Sequence, residues 1–135
     1  MLLDIALRLA PDVHSPAEAR RSLDALRLSI DEPVVDDAVL LVSEIVSNSV
    51  RHAGLDASDS IEVRIRGSRS MLHVDVIDPG PGFEPEDARP RADDGGWGLR
   101  LLDRLATRWG VERGRTTRVW FDLAPPVSGA PTSGR

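Results

Sequence analysis

Two runs of alternating apolar residues, joined by four turn-forming residues, constrain this chain more than any other feature. Ile61, Val63 and Ile65 alternate with Glu62, Arg64 and Arg66, and Leu72, Val74 and Val76 alternate with His73 and Asp75. Successive side chains of a strand point to opposite faces, so each run has one apolar and one polar face. With Gly67-Ser68-Arg69-Ser70 between them, the runs read as an antiparallel hairpin. A sheet of this kind can leave its polar face to water and must bury the other, so cover has to come from helices elsewhere in the chain.

The remaining elements supply that cover. Leu3, Ile5, Leu7 and Leu9 alternate as a first strand. Ser15-Pro16-Ala17-Glu18 joins an N-cap serine, a proline at the first helical position and a glutamate at the third, which predicts a helix from there to about Leu28. A second helix is expected from about Asp36 to Ala53, with Gly54 as its C-terminal cap. Residues 79–96 are rich in proline, glycine and charge and read as loop, with a helical turn at Glu84–Ala88. A third helix fits Gly98 to Ala106, and Thr107–Glu112 with Thr117–Leu123 form a last hairpin around Arg113-Gly114-Arg115. Residues 125–135 read as a disordered tail. The order β-α-α-β-β-loop-α-β-β predicts an α+β fold, a two-layer sandwich of a mainly antiparallel sheet with helices on one face. One domain, residues 1–124, fits the 135-residue length.

Composition removes several function classes. Without cysteine there is no disulfide, thiolate metal site or thiol nucleophile. All 17 basic residues are arginine, and a Walker-type phosphate loop requires lysine. A net charge of -5 with no basic run argues against direct nucleic-acid binding. No apolar stretch is long enough to span a membrane, and Met1-Leu2-Leu3-Asp4 lacks the basic start of a signal peptide, so a cytoplasmic location is expected.

Three segments carry candidate chemistry. In the second helix, Glu44 stands one turn before Asn48, the only asparagine in a chain without glutamine. Projected at about 100° per residue, Ala38, Leu41, Val42, Ile45, Val46 and Ser49 share a broad arc with Val39 and Val50, while Asp36, Ser43, Ser47 and Arg51 lie opposite. Glu44, Asn48 and His52 form a stripe on the border of the apolar arc. A half-shielded carboxylate can take a proton from a hydroxyl, and a carboxamide oxygen can coordinate magnesium beside phosphate oxygens. The plain alternative is a solvated acid and a locally bonded asparagine. In Asp78-Pro79-Gly80-Pro81-Gly82, an aspartate ends a buried strand and can accept from an exocyclic amine, and the glycines let backbone approach a flat ring. The same residues also make an ordinary turn. In Gly96-Trp97-Gly98-Leu99, glycines lead into an amphipathic helix whose free N–H groups suit phosphate.

The combination, with 30 residues from Asn48 to Asp78 and 20 from Asp78 to Gly98, resembles the ATP-binding fold shared by gyrase B, the ninety-kilodalton heat-shock chaperones, histidine kinases and MutL, the GHKL or Bergerat superfamily. The likeness runs from about Leu3 to Leu123 and is strongest to the single-domain anti-sigma-factor serine/threonine kinases of bacterial partner switching. That resemblance implies a cofactor, ATP with Mg2+, and a role for each matching position. Asn48 would coordinate the magnesium, and Glu44 would activate the attacking hydroxyl. Asp78 would bind the adenine amino group, with Gly80 and Gly82 passing along the ring. Gly96, Gly98 and the backbone of Leu99 would lie against the phosphates, and Thr117 would sit near adenine. Residues 84–95 would form a lid in which Arg89 and Arg91 are the candidates for a phosphate. Arg100 stands where histidine kinases usually carry a further glycine. The implied partners are a sigma factor and its antagonist protein, with homodimers common in the resembling family. Arg20, Arg21 and Arg27 could dock them or form a solvated face. A nucleotide-binding interaction protein of the same fold, without useful kinase activity, is the alternative.

Overall fold

A computed structural model describes residues 2–52, 54–80 and 97–125. In chain order these form β1 (Leu3–Leu9), α1 (Ser15–Asp24) running on into a 3-10 turn (Ala25–Leu28), α2 (Glu32–His52), β2 (Ile61–Ser68), β3 (Met71–Asp78), α3 (Trp97–Leu105), β4 (Arg108–Arg113) and β5 (Thr117–Leu123). The five strands make one sheet in the order β1-β2-β3-β5-β4, and every adjacent pair is antiparallel. The expected α+β sandwich, a sheet with helices on one face, is the observed architecture.

The predicted hairpin is the middle of this sheet. Its register sets Val63 opposite Val76 and Ile65 opposite Val74, and all four are buried. Gly67 permits the tight return, because a Cβ there would collide with the Met71 carbonyl. The apolar faces of β2, β3 and β5 share one core with Leu41, Val42, Ile45 and Val46 of α2, which are buried almost completely, and Phe121 is fully buried in it. Leu23 of α1 and Leu102 of α3 extend this core to either side of α2.

Three local expectations change. α2 begins at Glu32, about four residues before Asp36. The Asp31 carbonyl accepts from the N–H groups of Val34 and Val35 at 3.0 and 3.1 Å, and Pro33 falls in the first turn, where its missing N–H is no loss. Ser15 does not cap α1, since the residue before the helix is His14. The Ser15 hydroxyl instead donates back to the Ala10 carbonyl, tying the helix to the end of β1. Ser43, expected on the solvent side of α2, is buried, and its hydroxyl donates to the Leu40 carbonyl at 3.1 Å. α2 packs against both the sheet and α1, so its arc of contact is wider than a single apolar stripe. The helical turn expected at 84–88 and the tail from 126 lie outside the described residues.

Candidate nucleotide site

The end of β3, the last turns of α2 and the start of β5 converge at Asp78. The strand register carries the Asp78 side chain to the core face and sets it directly opposite Thr117. Asp78 is 6% exposed. Its Oδ2 accepts a hydrogen bond from Ser49 Oγ of α2 at 2.7 Å, and its Oδ1 accepts from the Gly80 N–H at 2.9 Å. The second bond closes an aspartate turn, so the turn-forming and site-forming readings of Asp-Pro-Gly hold together. Thr117 is buried, and its hydroxyl makes a long, 3.5 Å bond to the Gly80 carbonyl. Asp78 and Thr117 thus fix the first glycine turn from two strands.

Each Asp78 oxygen keeps one acceptor direction after these bonds. The carboxylate can therefore take a further donor, as an exocyclic amine provides. Burial pushes the Asp78 carboxyl above its ordinary value, and the Ser49 hydroxyl and Gly80 N–H pull it back without reversing the shift.

Asn48 and Glu44 lie one turn apart on α2, both half-buried. Asn48 Oδ1 accepts from Arg51 Nη2 at 3.1 Å. Asn48 immediately precedes Ser49, so the carboxamide stands about 100° around the helix from the Asp78 contact. Among the described residues no cluster of three or more acidic or histidine side chains could hold a metal. The donor set still suits magnesium that is carried by a nucleotide, for which one or two protein oxygens suffice.

Gly98 and Leu99 fall in the first turn of α3, which begins at Trp97. The first turn of a helix leaves its N–H groups unbonded, as a phosphate site requires. Gly82, Gly96, and Arg89 and Arg91 in the expected lid, lie outside the described residues. The structure thus joins Asp78, Gly80 and Thr117 directly and sets Asn48 and Glu44 on the helix that reaches them. A separate groove of about 550 Å³, lined by Leu3, Arg27, Leu28, Ser29, Ile30, Asp31 and Arg69, lies where the β2–β3 turn meets the start of α2 and contains none of these residues.

A family model for the histidine kinase-like ATPase domain matches residues 9–122. The chain belongs to that family. The match covers every position that the sequence assigned to nucleotide. No match was found among curated proteins. Solved structures resemble this histidine kinase-like ATPase domain, two of them as follows. One holds the RsbU and RsbW domains of Rv1364c from Mycobacterium tuberculosis, with a TM-score of 0.69 and 20% identity over 92% of this chain. The other is the histidine kinase domain of the Erythrobacter litoralis EL346 blue-light activated histidine kinase, with a TM-score of 0.55 and 29% identity over 67% of this chain. The chain spans 33% of the first and 44% of the second. At its level of identity the first likeness speaks to fold alone. No helix among the described residues is long and apolar enough to cross a membrane.

Ser49 is the site residue that the sequence reading assigned only to packing. A signal was present, since Ser49 is the one polar side chain within the apolar arc of α2. A hydroxyl there needs a buried partner, and Asp78 is that partner.

Proposed function

We propose that this chain is a serine/threonine kinase of the anti-sigma-factor type, which uses ATP to phosphorylate an antagonist protein and, freed from it, sequesters a sigma factor. The observation that carries the nucleotide half is the buried Asp78 carboxylate, bonded on both oxygens and still able to accept. It would accept from the amino group of adenine and discriminate against a base that presents a carbonyl there. Thr117 and Gly80 hold the turn against which the ring lies. Asn48 would hold magnesium, which neutralises phosphate charge when bound. Glu44, one turn away, would take the proton from a serine or threonine hydroxyl. The hydroxyl oxygen forms the new bond to the γ-phosphorus while the bond to the β-phosphate oxygen breaks, and ADP leaves. The partners and a cytoplasmic setting rest on the resemblance to partner-switching kinases and on the solved RsbW-containing structure.

Calorimetric titration with magnesium-ATP is the first test, and no heat at millimolar nucleotide would end the nucleotide reading. Asn48→Ala and Asp78→Asn should each weaken binding at least about tenfold, the loss of one charge-assisted contact. Glu44→Ala should bind nucleotide normally and transfer no phosphate to an antagonist. If wild-type chain binds ATP but phosphorylates no antagonist, the binding-protein alternative replaces the kinase.

A further inference from the structure

The groove of about 550 Å³ lies at the end of the sheet opposite the nucleotide site. β3 starts there with Met71 and ends at Asp78, so roughly 23 Å of strand separates the two. Its walls are joined without a ligand. The Asp31 N–H donates to the Arg69 carbonyl at 3.0 Å, which fastens the β2–β3 turn to the start of α2. Buried Ile30 lines the groove, and its N–H donates to the Leu26 carbonyl at 2.8 Å. A groove formed in advance lowers the entropic cost of binding.

The lip is apolar and open. Leu28 is 95% exposed, Leu3 lines the groove half-buried, and Leu2 next to it in the chain is 87% exposed. A single exposed leucine is ordinary, but three about one groove form a patch of the kind that marks an interaction site. Charge then selects the partner. Arg27, a candidate docking cation in the sequence, is enclosed by Asp36 at 2.6 Å, Asp24 at 3.1 Å and Glu32 at 3.7 Å. One guanidinium against three carboxylates leaves this rim negative. Arg69 and Asp31 approach to 3.8 Å, and Arg64 and Asp4 to 3.5 Å, so those pairs add no net charge. Glu32 is the most exposed of the three acids around Arg27, at 73%, and the furthest from it, so it is the one able to take a second cation.

We propose that this groove docks a basic amphipathic segment of another protein. A leucine-sized side chain of that segment sits between Leu3, Leu28 and Ile30, and an adjacent lysine or arginine meets Glu32. The chemistry is the reverse of that on α1, where the exposed Arg20 and Arg21 suit an acidic partner. The groove does not depend on the nucleotide reading, and the strand length between the two sites lets both be filled at once.

Amide chemical shifts of the full, isotope-labelled chain test this during titration with an amidated leucine–lysine peptide of helical periodicity. The same peptide with glutamate in place of lysine is the control. Shifts are expected at residues 28–32 and at Arg69, with binding that weakens as salt is raised. Leu28→Ser and Glu32→Lys should each weaken it at least about fivefold. Leu40→Ser, at an exposed leucine of α2 that does not line the groove, should leave it unchanged. Circular dichroism checks folding, and Leu28→Ala and Glu32→Gln replace any variant that fails to fold. ATP affinity should be the same in every folded variant, and a chain that binds the peptide but no ATP would strike the nucleotide reading alone. No shifts at millimolar peptide, a glutamate peptide that binds as well, shifts confined to other residues, or groove variants that bind like wild type would overturn the proposal.

Discussion

Ser49 Oγ donates a 2.7 Å hydrogen bond to Asp78 Oδ2 across 29 residues of sequence, and it ties helix α2 to the end of strand β3 through two buried side chains. The bond does two things at once. It satisfies a hydroxyl in the apolar arc of α2, and it orients a carboxylate whose other oxygen is committed to the Gly80 turn.

Replacing Ser49 by alanine should therefore cost both stability and binding. The lost donor leaves a buried carboxylate oxygen short of a partner, which costs about 1–3 kcal/mol of folding stability. The Asp78 carboxyl should rise further, because a bond that favours its charged form is gone. Denaturant unfolding and ATP titration at two pH values check this. Wild-type stability with wild-type affinity would show that the hydroxyl is incidental.

The raised Asp78 carboxyl makes binding and stability respond to pH in opposite directions. The folded state holds this proton at a pH where the unfolded chain, near the ordinary aspartate value of about 3.9, has released it. Its contribution to stability is fully present below the unfolded value and is lost as pH rises through the folded one. The amine of a bound base needs the ionised form, so ATP affinity should fall as pH drops through the same window. Thermal unfolding of wild type minus Asp78→Asn, followed from pH 4 to 8, isolates this group. A flat difference curve would show that burial does not raise it.

The second helix shows what the sequence could and could not tell. Its apolar arc and the Gly54 stop were legible, because both depend on neighbours three or four residues away. The start was missed because Glu32-Pro33 reads as a break unless proline is allowed in a first turn. The burial of Ser43 was illegible, because it depends on tertiary packing that spacing within the helix does not set. At the site, Asp78 and Gly80 could be named from residue type and spacing, and Thr117 only through the family resemblance. Their mutual bonding could not, since strand register alone sets Thr117 opposite Asp78.

Gly54 tests the helix stop. Its φ is 67°, and a Cβ built there would touch nothing within 4 Å. Alanine would thus be penalised by backbone conformation alone, at about 1–2 kcal/mol. Urea unfolding of Gly54→Ala should show that loss, and an unchanged midpoint would mean that the chain leaves α2 by another route.

Gly110 tests whether the two faces of the sheet are independent. A Cβ there would come 2.7 Å from Trp120 Nε1, so alanine must displace the indole. The indole stacks on His73, whose Nδ1 lies 2.6 Å from Asp122, and Arg108 sits 6.0 Å above the same ring. Moving it should disturb all three and cost about 1–3 kcal/mol, the usual range for overpacking. None of these groups faces the nucleotide, because Trp120 and Thr117 alternate across β5 and only Thr117 turns toward the helices. Gly110→Ala should therefore unfold at lower denaturant, change its tryptophan emission and bind ATP with wild-type affinity. A matching loss of ATP affinity would mean that strain crosses the sheet, and the two faces would then have to be treated as one coupled unit.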